Sequence, residues 1–156
     1  MILVETYIFS QDKLVKFKDH NSPFETDQHY LEGALLLTVN NIPVISPTEI
    51  DYVVGFWRLA VFAIKKHMLK KETDISLFAS AVLKVIPEEG DRVSLLRNGR
   101  RVSTVNRLEF IGALVDEAEQ FFDRADRLNP GLTEKFENEK TAISVIRNIC
   151  FGKTNI

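Results

Sequence analysis

Between Asn106 and Asn129 the chain carries the pattern that most restricts its fold. Ile111, Leu114, Val115, Ala118, Phe121, Phe122, Ala125 and Leu128 recur at three- and four-residue steps, which lines up one broad apolar helix face. Asn106, followed three residues later by Glu109, supplies an N-terminal cap, and Asn129-Pro130-Gly131 supplies a stop. A helix over 107–128 is therefore predicted. An isolated amphipathic helix is marginal in water, so this one needs other elements to cover its apolar side. Its opposite side is acidic, with Glu109, Asp116, Glu119, Asp123 and Asp126 close together in projection.

The elements available to cover it are mostly strands. Residues 2–8 are β-branched and aromatic and read as a strand; Leu14, Val15 and Phe17 read as a short edge strand. A strong strand follows at 30–39, and Asn40-Asn41 turns the chain into 42–45. Ser46-Pro47-Thr48-Glu49 has the form of a capping box with proline at the first helical position, which predicts a long central helix running to Lys71. On that helix Ile50, Val53, Val54, Trp57, Val61, Ile64 and Met68 share one side, while Tyr52, Phe56, Leu59 and Ala63 cover much of the other. It is expected to be nearly surrounded by protein. Residues 81–86, 92–97 and 100–105 form a three-stranded antiparallel meander, with Asn98-Gly99 as its tight turn. A third helix near 132–149 turns Leu132, Phe136, Ile143, Ile146 and Ile149 inward. Gly33 inside a strand predicts a bulge or a close backbone approach, and Gly55 and Gly112 inside helices predict close packing.

Strands, helix, strands and then two helices, without βαβ alternation, indicate an α+β fold. The expected architecture is an antiparallel sheet packed against a central long helix and two further C-terminal helices. The 156 residues suit a single domain, 1–156, and eleven phenylalanines promise a well-filled core. Twenty Lys plus Arg against 22 Asp plus Glu lack the basic footprint of a nucleic-acid binder. One cysteine, Cys150, allows no internal disulfide; the apolar start at Met1 lacks a basic leader region and is cut short by Glu5; no apolar run reaches membrane length. The expectation is a cytoplasmic protein with no membrane partner.

Residues able to do chemistry are scattered. His20, His29 and His67 form no His-x-x-x-His pair, and Cys150 is read as a small apolar residue. The glycines form no phosphate loop. No catalytic residue, metal or cofactor is expected, and the chain is read as a non-enzyme. Lys65, Lys66, Lys70 and Lys71, like Arg97, Arg100 and Arg101, lack interleaved aromatics and read as solvated surface. The acidic stripe at Glu109, Asp116, Glu119, Asp123 and Asp126 is either the wet side of a helix, with Asp123 and Arg127 as an i,i+4 pair, or a ridge for a basic partner.

Several phrases carry a family resemblance: HYLEGALLLTVNNIPVI at 29–45, Phe56-Trp57, NRLEF at 106–110 and AEQFF at 118–122. In element order and in these phrases, residues 29–128 resemble small bacterial immunity proteins of contact-dependent growth inhibition and related polymorphic-toxin systems. The resemblance implies a protein that binds a cognate toxin domain, often a basic nuclease, and neutralises it by steric occlusion. It carries over no binding residue. Glu32-Gly33 and Trp57 match its pattern as fold residues. The acidic stripe is the expected toxin-facing surface because of its charge. Two other readings are a small-ligand protein or enzyme with a pocket between sheet and central helix, drawing on Glu32, Tyr52 or Arg58, and a homo-oligomeric structural subunit.

Overall fold

Paired residues in the left-handed region set the hairpins. Gln11 and Asp12 (φ 51° and 61°), Asn40 and Asn41 (50° and 66°), and Asn98 and Gly99 (52° and 76°) each close a two-residue loop. Two consecutive positive φ angles give the turn whose twist suits a β-hairpin, and Asn, Asp and Gly tolerate them best. The computed structural model describes residues 1–23, 31–48, 50–70, 75–77, 83–129 and 136–152. Strands β1 (Ile2–Ser10), β2 (Lys13–Lys16), β3 (Glu32–Val39) and β4 (Ile42–Ile45) form the first sheet in the order β2-β1-β3-β4, with β5 (Asp51–Tyr52) also paired to β3. Strands β6 (Ile75–Leu77), β7 (Leu83–Glu88), β8 (Arg92–Arg97) and β9 (Arg100–Asn106) form a second sheet in sequence order. All pairings are antiparallel. Helices α1 (Val53–Lys66), α2 (Arg107–Leu128) and α3 (Glu137–Phe151) complete an α+β fold.

The helix predicted over 107–128 has those bounds. Asn106 Oδ1 accepts the Glu109 amide at 3.0 Å, as the cap requires. Its apolar face is buried from Phe110 to Ala125 and lies against β1, α1, α3 and β9. A line of phenylalanines fixes the packing: Phe17, in a 3-10 turn after β2, meets Phe121 at 4.9 Å between ring centres, and Phe122 meets Phe136 at 4.9 Å. Such pairs contribute about 0.5–1.5 kcal/mol beyond the area they bury. Arg107 anchors the start of α2, donating Nε to Asp91 Oδ1 at 2.6 Å and Nη1 to the Met68 carbonyl at 3.2 Å.

Gly33 shows the predicted close approach. A Cβ there would lie 2.0 Å from the Tyr7 carbonyl oxygen and 2.7 Å from Val53 Cγ1. A Cβ at Gly112 would also be tight, 3.2 Å from Phe151 Cζ, whereas the position of a Cβ at Gly55 opens onto free space.

Several expectations need correction. The capping box does not start α1. Ser46 Oγ bonds Thr48 Oγ1 instead, and the helix begins at Val53 with no side-chain cap; Glu49 lies outside the described residues. The reason is tertiary: Asp51 and Tyr52 take strand partners on β3, opposite Gly33 and Glu32, so the backbone stays extended past the local helix signal. The helix ends at Lys66, followed by a 3-10 turn over Met68–Lys70; Lys71 lies outside the described residues. Nor is α1 surrounded: Ile50 precedes it, and Leu59 (56% exposed) and Phe62 face outward. The meander gains a fourth strand, β6, and β7 runs on through Pro87 and Glu88 to a three-residue turn, with its start at 81–82 outside the described residues. Helix α3 starts at Glu137, with Phe136 before it at φ 53°, and Ile149 is 63% exposed; Leu132 lies outside the described residues. A link absent from the sequence reading joins α1 to α3, Arg58 Nε to the buried Glu139 Oε1 at 2.8 Å. No helix among the described residues is long and apolar enough to cross a membrane.

Candidate functional site

Strand β1 is longer than its neighbour β2. The pairing runs from Ser10 opposite Lys13 to Tyr7 opposite Lys16, and there β2 gives way to the 3-10 turn over Phe17–Asp19. Among the described residues, residues 2–6 of β1 therefore have β3 on one edge and no strand on the other. A cleft of ≈ 300 Å³ opens along that bare edge, between it and α2. Four consecutive β1 residues, Leu3 to Thr6, line it. Side chains alternate along a strand, so consecutive lining means that the backbone edge itself is the wall.

One carboxylate from α2 closes part of this edge. Glu117 Oε1 accepts the Thr6 amide at 3.1 Å and the Thr6 hydroxyl at 3.0 Å, and the same hydroxyl oxygen accepts Trp57 Nε1–H at 3.0 Å. Trp57 and Thr6 are buried, so this chain satisfies donors that water cannot reach. Burial pushes the Glu117 carboxyl above its ordinary range; the bonds from Thr6 and the nearby Lys18 draw it back, while Glu5 adds to the rise. Around the rim stand Lys16, Lys18, Arg124 and Arg127. Lys16 pairs with Glu5 at 3.2 Å, and Arg124 donates to the His20 carbonyl and, at 2.8 Å, to Asn21 Oδ1.

The predicted acidic stripe lies mainly on a different flank of α2, with Asp123 also lining the cleft, and α3 runs antiparallel along it. Arg147 Nη2 reaches Asp116 at 2.8 Å and Glu119 at 3.2 Å; one α3 heptad earlier, Lys140 pairs with Asp126 and, at 3.4 Å, with Asp123. Glu109 stays exposed near the start of the helix. The structure thus brings Asp116, Glu119, Asp123 and Asp126 into one seam, where four carboxylates face two cations. The i,i+4 partner expected for Asp123, Arg127, is replaced by Lys140, since α3 offers a cation where the sequence alone showed only solvent. Burial works against the charge of Lys140 and Arg147, yet the carboxylates hold both groups above their ordinary pKa values. Asp116 and Asp123 keep 60% and 54% of their side chains exposed, so the seam remains acidic outward.

Other candidates stay apart. Among the described residues no group of three His, Cys, Asp or Glu could hold a metal ion. His29 lies outside the described residues, and His20 contributes its carbonyl to Arg124. Cys150 is half-buried and packed on the core; burial raises its thiol pKa, Arg107 draws it down and Asp91 adds to the rise. A raised pKa is the reverse of what a nucleophile needs. Glu32 and Tyr52 are strand partners, while Arg58 turns to α3, so the three do not converge. The cleft lies elsewhere.

Glu117 was not foreseen. A local signal for it exists, since it stands three residues after Leu114 and four before Phe121, on the flank of the apolar face and away from the acidic stripe. A lone carboxylate in that position needs a hydrogen-bonding reason. Comparison with protein-family models, curated proteins and solved structures gives no match in any of the three.

Proposed function

We propose that the chain is a binding protein of the immunity type, which covers a basic toxin domain in the cytoplasm and acts by occlusion, without chemistry of its own. The observation that carries this reading is the α2–α3 seam. Its carboxylates are held in place by half as many cations, and two of them remain more than half exposed. Side chains already fixed lose less rotamer freedom on docking, and a ridge with a net negative charge steers a partner of opposite charge. The resemblance over residues 29–128 supports the same reading.

The test takes the product of the neighbouring open reading frame as the candidate toxin. Co-expression is expected to rescue growth, and the purified pair to form a complex whose association slows with added salt. Asp116→Lys combined with Glu119→Lys is expected to reduce the on-rate roughly tenfold at low ionic strength. An unchanged on-rate and affinity would reject the seam as the docking surface. Absence of both complex and protection would reject the immunity reading.

A further inference from the structure

The backbone at the cleft has a direction. The Thr6 amide points away from β3 and into the cleft, because Glu117 accepts it there. In a strand the backbone groups of alternate residues share an edge, so the Val4 N–H and C=O point the same way. β1 residues of the other parity, Leu3, Glu5 and Tyr7, are left to bond β3 opposite Thr38, Leu36 and Ala34. Glu117 thus stands where a neighbouring strand would have placed a carbonyl, and one step along the edge Val4 presents a donor and an acceptor side by side. Four residues of bare edge span about 13 Å at ~3.3 Å each, enough for a segment of about four residues.

Charge selects the occupant. Glu5 is engaged by Lys16, Asp123 by Lys140, and Glu117 by Thr6 with Lys18 acting on it only at longer range; no carboxylate among the described residues forms an ion pair with Lys18 or Arg127, which stand exposed on the rim. Phe17 and Phe121 supply apolar lining beneath them. We propose that the bare edge of β1 at Val4 binds a short acidic peptide segment of a partner protein as an added strand. The segment lies in the lane that β2 leaves at Lys16, with its carboxylates on Lys18 and Arg127. Main-chain bonds to Val4 give such a segment its alignment and the two cations give it preference, the general logic of strand addition. The proposal rests on the cleft, which shares one residue, Asp123, with the α2–α3 seam and uses none of the seam's other carboxylates.

The experiment is fluorescence polarisation of the full chain with a labelled, end-blocked peptide of about eight residues alternating Glu and Val, long enough to overlap the edge. Saturable binding is expected, at least tenfold tighter than for the Lys–Val peptide. N-methylation of every second peptide amide, in the register that faces Val4, is expected to weaken it at least tenfold. Lys18→Glu with Arg127→Glu, both on exposed side chains, is expected to do the same without changing the melting temperature. Asp116→Lys with Glu119→Lys is expected to leave peptide affinity within twofold. No saturable binding to millimolar peptide overturns the proposal. So does N-methylation in either register without effect, which would leave plain charge attraction, and so does equal binding by the Lys18/Arg127 variant.

Discussion

Helix α2 offers its acidic residues two very different environments. On the flank towards α3, four carboxylates meet Lys140 and Arg147 at the surface. On the flank towards β1, the single carboxylate Glu117 accepts two donors from Thr6, which in turn holds Trp57. The first has more ion pairs, yet water competes for every one of them, so each contributes only about 0–1 kcal/mol. The second is one side chain with no solvent alternative for its partners. Loss of an acceptor there costs about 1–3 kcal/mol because buried donors are left bare. Number of contacts is therefore a poor guide to stability in this molecule, and burial is a better one.

The largest effect expected from breaking this contrast is at a carboxylate in a third environment, Glu139 of α3, which is buried and bonded by Arg58. Arg58→Met removes that bond, and the loss should be about 3 kcal/mol, the low end for breaking a buried pair because Arg58 itself is partly exposed. Urea unfolding measures it; a loss below about 0.5 kcal/mol would show that burial does not rank these groups.

Next comes Glu117. Glu117→Ala should cost about 2 kcal/mol, whereas Glu117→Gln keeps an acceptor oxygen for Thr6 and should cost little at neutral pH. The pair of variants also reports charge. With its folded pKa raised, Glu117 binds its proton more tightly when folded, so its ionisation opposes folding once the pH exceeds the folded value, and that penalty is absent below the unfolded value near 4.5. Stability should therefore fall with rising pH above 4.5 in the native chain by more than in Glu117→Gln, as unfolding across that window would show. Parallel pH profiles would remove the burial argument.

The smallest effect is predicted at the seam. Arg147→Ala should cost under about 1 kcal/mol, and that difference should shrink further in 1 M salt. A cost as large as that of Glu117→Ala would erase the contrast between the two flanks.

These same flanks show what local sequence can reveal. Helix α2 was legible throughout because its cap at Asn106, its period and its stop at Asn129 are all contained within the element. The turns at Asn40-Asn41 and Asn98-Gly99 were legible for the same reason. The start of α1 was misread at Ser46 because Asp51 and Tyr52 answer to β3, a partner about twenty residues away in sequence, and not to the cap beside them. The acidic residues were legible as a stripe, but not the cations that engage them. Lys140 and Arg147, seven apart, line up with the stripe only once α3 lies antiparallel on α2. The cleft was invisible altogether, since it depends on where β2 stops relative to β1 and on a contact between Thr6 and Glu117.

That contact also bears on the order of assembly. The second sheet is built from hairpins that close loops of two or three residues at 98–99 and 89–91. Thr6 and Glu117 are 111 positions apart, and the entropy of closing a loop grows with its length. Docking of β1 on α2 is therefore expected to follow the local pairing of the hairpins. Strand β1 is thus held to α2 by one of the most distant bonds in the chain, and the bare backbone edge beside Val4 takes its final form only as that bond closes.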